Sequence, residues 1–161
     1  LDPRQPARNR DVDRLIIAQL EMQEAHLAGA APIAPVERIG TDEVESYWDE
    51  GGDVASCQLI VVESTAALVR ARQSDRISIA TYNSSISLLD NLYARLTIVN
   101  IDEKLLADAC DVTKTEKLRA YDAVHLASAL KIGADIFASA DLDLCSAANR
   151  QGLNIFNPGM N

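Results

Sequence analysis

Two carboxylates in the C-terminal third of the chain stand in places that are hard to explain by folding alone. Asp122 lies early in the run Leu118-Arg-Ala-Tyr-Asp-Ala-Val-His-Leu-Ala-Ser-Ala-Leu130, and Asp141 follows Ile136-Phe-Ala-Ser139-Ala, with Asp143 close behind. Both segments are otherwise apolar. Several acids gathered at one edge of a sheet repel one another, and no basic run here is able to neutralise them all. A hard divalent cation such as Mg²⁺ or Mn²⁺ relieves the repulsion, because carboxylate oxygens and water are its preferred ligands. Such an ion activates water and stabilises the charge that builds on a phosphodiester during in-line cleavage.

The elements that must position these acids can be read from the same stretch. Good helix formers from 120 to 131, with Gly133 as the stop, predict a helix that carries Asp122 in its first turn. The short apolar run 136–139 predicts a buried strand, 143–150 a second helix ending at Gly152, and 153–156 another strand before Pro158. Helix-strand-helix-strand order makes the two strands parallel neighbours joined by a right-handed crossover, so the fold class is α/β. Ligand crevices in open parallel sheets lie beyond the carboxyl ends of the strands, where Asp141 falls.

Upstream, Val12, Leu15, Ile16, Leu20 and Leu27 are spaced for one face of an amphipathic helix over 11–27, which Gly29, Pro32 and Pro35 then break. Thr41 is a candidate cap for a helix ending at Gly51-Gly52. Residues 57–61 read as a strand leading into a helix that runs to 72, with Glu63 in its first turn. A helix over 78–94, a strand over 96–100 and a helix capped by Asp102 complete the pattern.

At Arg119-Ala-Tyr-Asp122-Ala-Val-His-Leu-Ala-Ser-Ala-Leu130, Phe137-Ala-Ser139-Ala-Asp141-Leu-Asp143-Leu144 and Gly152-Leu-Asn-Ile-Phe-Asn-Pro158 the chain resembles the PIN-domain ribonucleases, in particular the VapC-like toxins of bacterial toxin-antitoxin pairs. Val61-Val-Glu63-Ser-Thr-Ala-Ala-Leu68 resembles the family's glutamate-bearing helix. The resemblance spans about 40–158 and sets residues 1–39 apart as an atypical N-terminal segment. It implies a three-layer α/β/α PIN-like domain over 40–161 with a central, mainly parallel sheet. It also implies a metal-dependent endoribonuclease with Glu63, Asp122 and Asp141 as Mg²⁺ or Mn²⁺ ligands, Asp143 as a further carboxylate and Ser139 as a supporting hydroxyl. The implied partners are an RNA substrate of the tRNA or rRNA class, a cognate VapB-like antitoxin and a second copy of the chain in a homodimer.

One part of the family pattern is missing. PIN domains begin with a central strand that ends on another metal-binding aspartate, and counting back from Gly40 reaches His26 and Leu27, with no aspartate there. Ala30-Ala-Pro-Ile-Ala-Pro-Val36 cannot serve easily as a central strand, since proline lacks the ladder donor. Three accounts stay open. The N-terminus is altered by truncation, fusion or a shifted frame, consistent with a chain that starts at Leu1 rather than Met; or 15–20 is a displaced strand with Glu21 substituting for the aspartate; or the site is incomplete. In the last case the chain is a catalytically impaired PIN-like module that binds RNA or antitoxin.

The 161 residues suit one domain, with 48% hydrophobic and 24% charged residues. No run reaches the ~20 apolar residues of a membrane span and no leader precedes a cleavage site, so a cytoplasmic protein is expected. Cys57, Cys110 and Cys145 are too scattered for a zinc knuckle and read as buried hydrophobes. A net charge of -9 argues against simple phosphate affinity. Eight acids face two arginines over 41–75, whereas 76–120 balances six against six. Arg70, Arg72, Arg76, Lys114, Lys117 and Arg119 form either a basic rim or an ordinary solvated face. Each acid also has a structural explanation, since the dipole favours acids in first turns and Asp141 or Asp143 can cap a helix. His125 reads as a hydrogen-bonded core or rim histidine, and Tyr121 and Trp48 as packing residues.

Overall fold

Parallel strands need a long connection between each neighbouring pair, and in this chain helices supply most of them. The computed structural model describes residues 14–18, Tyr47 and residues 52–157. Within them the chain runs β1 (Arg14–Ile17), β2 (Asp53–Cys57), α1 (Leu59–Gln73), α2 (Ile79–Arg95), β3 (Thr97–Val99), α3 (Glu103–Glu116), α4 (Ala120–Ile132), β4 (Ile136–Ala138), α5 (Leu142–Arg150) and β5 (Asn154–Phe156). The sheet order is β3-β2-β1-β4-β5, and every pairing is parallel. This is the α/β/α fold that the motifs imply.

The middle strand corrects the reading of 11–27 as a helix. Arg14–Ile17 is extended, and the rest of that stretch, Glu21 included, lies outside the described residues. The physical reason is burial on two sides. Ile16 and Ala18 join the cluster formed with α3, α4 and α5, whereas Leu15 and Ile17 pack with Val54 and Ala138. A strand covered on both faces needs an unbroken apolar run, and Leu15-Ile-Ile17 is one, with two β-branched residues that favour a strand. Its displaced position at 15–17 was one of the open alternatives. The sheet thus takes its middle strand from the segment that the motifs set apart.

A second correction concerns 57–61. The strand is Asp53–Cys57, and Leu59-Ile-Val-Val62 begins α1. β-Branched content suggested a strand, yet only Ile60 turns inward there while Val61 and Val62 face solvent. The Thr41 cap and the helix to Gly51-Gly52 lie outside the described residues apart from Tyr47, which is helical, and Gly52, whose amide donates to the Tyr47 carbonyl at 2.9 Å.

The later elements follow their local signals closely. Ser78 Oγ accepts from the Thr81 amide at 3.0 Å and Asp102 Oδ1 from the Leu105 amide at 2.8 Å, each satisfying a donor that a helix start leaves over. Gly133 ends α4 in the left-handed region at φ 62, which a residue without Cβ adopts freely. Cys57 and Cys145 are buried, whereas Cys110 is exposed on α3, against the expectation of burial.

At the amino edge Arg14 fastens β1 to its neighbours. Its Nε donates to Asp53 Oδ2 at 2.6 Å and its Nη1 to the Ile132 carbonyl at 3.2 Å, while Asp53 Oδ1 accepts from Thr97 Oγ1 at 3.0 Å. Phe137, fully buried in β4, anchors the larger cluster. Phe137→Ala is expected to lower unfolding free energy by about 3–5 kcal/mol, and Ser78→Ala by about 1 kcal/mol. Urea denaturation of both variants checks the ranking; equal losses would contradict the assignment of Phe137 to the core.

Candidate functional site

In the order β3-β2-β1-β4-β5 the chain moves outward on one side of β1 and then on the other, so the strand order reverses at β1. In open parallel sheets the ligand crevice lies beyond the carboxyl end of such a strand, here β1. Residue 18 forms that end. Its amide donates to the Ala138 carbonyl at 2.9 Å, and the preceding carbonyl, Ile17 O, accepts from Ser56 Oγ at 2.7 Å. Ala18 is fully buried.

Three elements bring acids towards this edge. Helix α1 starts there, directly after β2, and carries Glu63 in its second turn rather than its first. Helix α4 begins at the same edge because it runs back to the start of β4, and it carries Asp122 in its first turn. The turn after β4 carries Asp141. Asp122 is 6% exposed.

Glu63 and His125 meet across these elements. His125 Nε2 lies 2.8 Å from Glu63 Oε2, and the histidine is fully buried one turn beyond Asp122. A carboxylate only accepts, so Nε2 carries the proton and donates. Nδ1 is then a buried atom with no partner among the described residues. The reading of His125 as a hydrogen-bonded core histidine agrees with this geometry. Its specific pairing with Glu63 was not foreseen, and the only signal was a histidine three residues after Asp122.

Asp141 is the N-cap of α5. Its Oδ1 accepts from the Leu144 amide at 2.9 Å, and its own amide donates to Ser139 Oγ at 3.1 Å. Ser139, buried, thus holds the turn on which Asp141 sits. Asp143 is exposed in the first turn of α5. Burial pushes the Cys57 thiol above its ordinary range, and Cys145 likewise. Neither is poised as a thiolate ligand or nucleophile.

Donor chemistry and donor number pull apart at this edge. Glu63, Asp122 and Asp141 offer the hard oxygens that Mg²⁺ or Mn²⁺ takes. As they stand, however, Glu63 is held by His125 and Asp141 by a helix amide. Among the described residues no three His, Cys, Asp or Glu are grouped closely enough to hold one ion. The strand end at the centre of the crevice contributes only the methyl group of Ala18. The residues are the right kind for a divalent cation, and the set is incomplete.

The exposed surface near this edge is mixed, apolar side chains standing beside Lys117 and Arg119 just before α4. Tyr121 is 62% exposed, which corrects its reading as a packing residue; Trp48 lies outside the described residues. Val62 and Leu142 are also exposed, each in the first turn of a helix that starts at this edge. Arg72 pairs with Asp75 at 3.0 Å and Lys114 with Asp111 at 2.8 Å, both within short local segments. Arg72 and Lys114 thus belong to a solvated face, whereas Lys117 and Arg119 stand exposed beside the start of α4, where a basic rim would lie. No helix of the described residues is long and apolar enough to cross a membrane.

The family model described as PIN domain matches residues 33–150, well over half of the chain and entirely C-terminal to β1. Among solved structures, PAE2754 from Pyrobaculum aerophilum is similar with a TM-score of 0.62 and 15% identity, over 89% of this chain and 83% of that one. FitAcB from Neisseria gonorrhoeae matches with a TM-score of 0.59 and 17% identity, over 91% and 99% of the two chains. VapBC2 from Rickettsia felis, bound to a DNA fragment from its promoter, matches with a TM-score of 0.53 and 12% identity, over 89% and 98%. No curated protein gives a significant match.

The Glu63–His125 pair has a direct stability test. Glu63→Ala leaves both ring nitrogens of a fully buried histidine without a partner among the described residues, and is expected to cost about 1–3 kcal/mol. Glu63→Gln retains an oxygen acceptor and is expected to cost clearly less. Denaturant titration distinguishes them, and equal losses would contradict the hydrogen bond.

Proposed function

Because the chain belongs to the PIN-domain family, whose members are generally nucleases, we propose that it is a VapC-like toxin of endoribonuclease type with an attenuated metal centre. Its substrate is a structured RNA of the tRNA or rRNA class. Glu63, Asp122 and Asp141 would hold Mg²⁺ or Mn²⁺, with Asp143 as an outer carboxylate and Ser139 as the hydroxyl that steadies Asp141. When bound, the ion supplies an activated water and charge stabilisation at the phosphodiester.

The observation that carries this reading is the position of Asp122. A carboxylate only 6% exposed stands at the carboxyl edge of the sheet, on the first turn of the helix whose next turn presents His125 to Glu63. The helix dipole of α4 favours its charge, and the histidine keeps Glu63 in place beside the same helix. Ser139 does the same for Asp141 through its amide.

Charge indicates how a substrate is accepted. With a net charge of -9, the chain as a whole has little purchase on phosphates by itself. A divalent cation is then needed to bridge acid and phosphate. The exposed Val62, Tyr121 and Leu142 suit a protein partner better than an RNA backbone, because apolar surface at a crevice mouth is covered by apolar side chains. That partner is a cognate VapB-like antitoxin, on a chain that itself pairs as a homodimer.

A second reading is favoured by Ala18. If the missing acid abolishes cation binding altogether, the chain is a PIN-like module that holds RNA or antitoxin without cleaving. Calorimetric titration of Mn²⁺ and Mg²⁺, followed by tRNA and rRNA cleavage assays, separates the two. The lead reading expects weak saturable binding and slow Mn²⁺-dependent cleavage, both lost in Asp122→Asn and Asp141→Asn while folding is retained. Cleavage unchanged in both variants would remove these residues from the site. Absent binding with RNA or antitoxin affinity retained would establish the second reading.

A further inference from the structure

Between α3 and α4 two basic residues flank Leu118, each where local structure favours another residue type. Lys117 ends α3 in the left-handed region at φ 57, and Arg119 is the N-cap of α4 with no side-chain hydrogen bond to that helix. Glycine or asparagine suits the first position, and serine, threonine, aspartate or asparagine the second. Elsewhere the chain follows these preferences, with Gly133 ending α4 and Ser78, Asp102 and Asp141 capping α2, α3 and α5. The charge of Arg119 also opposes the positive end of the α4 dipole, and the C-terminus of α3 already has Lys114 in its last turn. Neither side chain is neutralised by the fold. Arg14, Arg72, Lys104, Lys114, Lys131 and Arg150 each pair with an acid, whereas Lys117 and Arg119, both exposed, form no ion pair and no side-chain hydrogen bond among the described residues. Leu118 packs against the cluster of α3, α4 and α5 and so fixes the backbone on which they stand.

We propose that Lys117 and Arg119 hold backbone phosphates of an RNA strand that passes Asp122. The proposal rests on the reading of RNA as the substrate, and goes beyond it by naming the side chains that seat the strand. Charge complementarity is the physical reason. A chain of net charge -9 repels a polyanion, and unpaired cations at this edge offset that repulsion locally. Arg119 precedes Asp122 by three residues, within one helical turn. A nucleic-acid strand carries a phosphate at every nucleotide, so one strand can meet both cations and still bring the bond to be cut to the acids. The guanidinium fork matches a phosphate with two parallel hydrogen bonds, and the lysine acts as a point charge.

The test measures binding of fluorescein-labelled bulk tRNA to the purified full chain by anisotropy, in EDTA and over a series of salt concentrations, so that neither metal nor cleavage contributes. Lys117→Gly and Arg119→Ser restore residue types that the backbone favours, and Lys114→Gln removes a paired base from the same end of α3. The expected result is affinity at least about threefold lower in Lys117→Gly and in Arg119→Ser, with the slope of log affinity against log salt reduced by about 0.7–0.9 in each. Their melting temperatures equal or exceed that of the parent, since the local fit improves. Lys114→Gln keeps parental affinity and slope. Parental affinity in both Lys117→Gly and Arg119→Ser would overturn the proposal, and so would lowered melting temperatures in both, which would make the two bases supports of the fold. Displacement of the tRNA by polyglutamate as readily as by unlabelled tRNA would assign the pair to an acidic protein segment instead and overturn it. Cleavage is read separately with Mn²⁺. Binding that depends on both bases without any cleavage would uphold this proposal and remove the nuclease reading; no binding by the parent at low salt, with cleavage present, would do the reverse.

Discussion

The middle strand β1 is covered on both faces and bordered by a parallel strand on each side, and the rest of the site depends on that confinement. A strand so placed has to be apolar through its length, as Leu15, Ile16 and Ile17 are. Its carboxyl end can open only into the crevice where the strand order reverses. Once β1 is fixed there, partly by Arg14 reaching Asp53 and the Ile132 carbonyl at the opposite edge, its neighbours have little choice. Strand β2 delivers α1 and Glu63 to the crevice, β4 delivers Asp141, and α4 starts at the same edge with Asp122.

Like charges delivered to one edge have to be managed, and the molecule treats each differently. Glu63 accepts from a buried histidine, Asp141 accepts from a helix amide, and Asp122 lies in the favourable field at the start of α4. Each arrangement gives the acid a favourable contact within the fold. The same arrangements keep the acids from acting as a preassembled cluster. Surface pairs elsewhere, such as Arg72 with Asp75, contribute on the order of 0–1 kcal/mol each and use up basic groups that a nucleic acid would otherwise meet.

Residues 78–157 could be read accurately because their boundaries are written in local chemistry. Ser78, Asp102 and Asp141 accept from the amides of their own helices, and Gly133 ends α4 with a left-handed turn. Nothing local marks β1. Leu15-Ile-Ile17 fits a helix face as well as a buried strand, and only the strands on either side decide between them. Val61 and Val62 misled in the same way, since β-branched residues at a helix start resemble a strand until burial is known. Candidate acids were legible because an acid in an apolar run is conspicuous. The Glu63–His125 bond, between residues 62 apart in sequence, was not. Nor was Ala18, because an alanine in an apolar run carries no signal until the fold shows which residues surround it.

The central proposal is that Glu63, Asp122 and Asp141 bind one cation at the carboxyl end of β1. Anomalous diffraction from crystals equilibrated with a high concentration of Mn²⁺ tests this most directly. The account predicts a single anomalous peak at the carboxyl end of β1, within coordination distance of Asp122 and of at least one of Glu63 and Asp141. A peak elsewhere on the molecule, or an ordered crevice with no peak at saturating Mn²⁺, would contradict it.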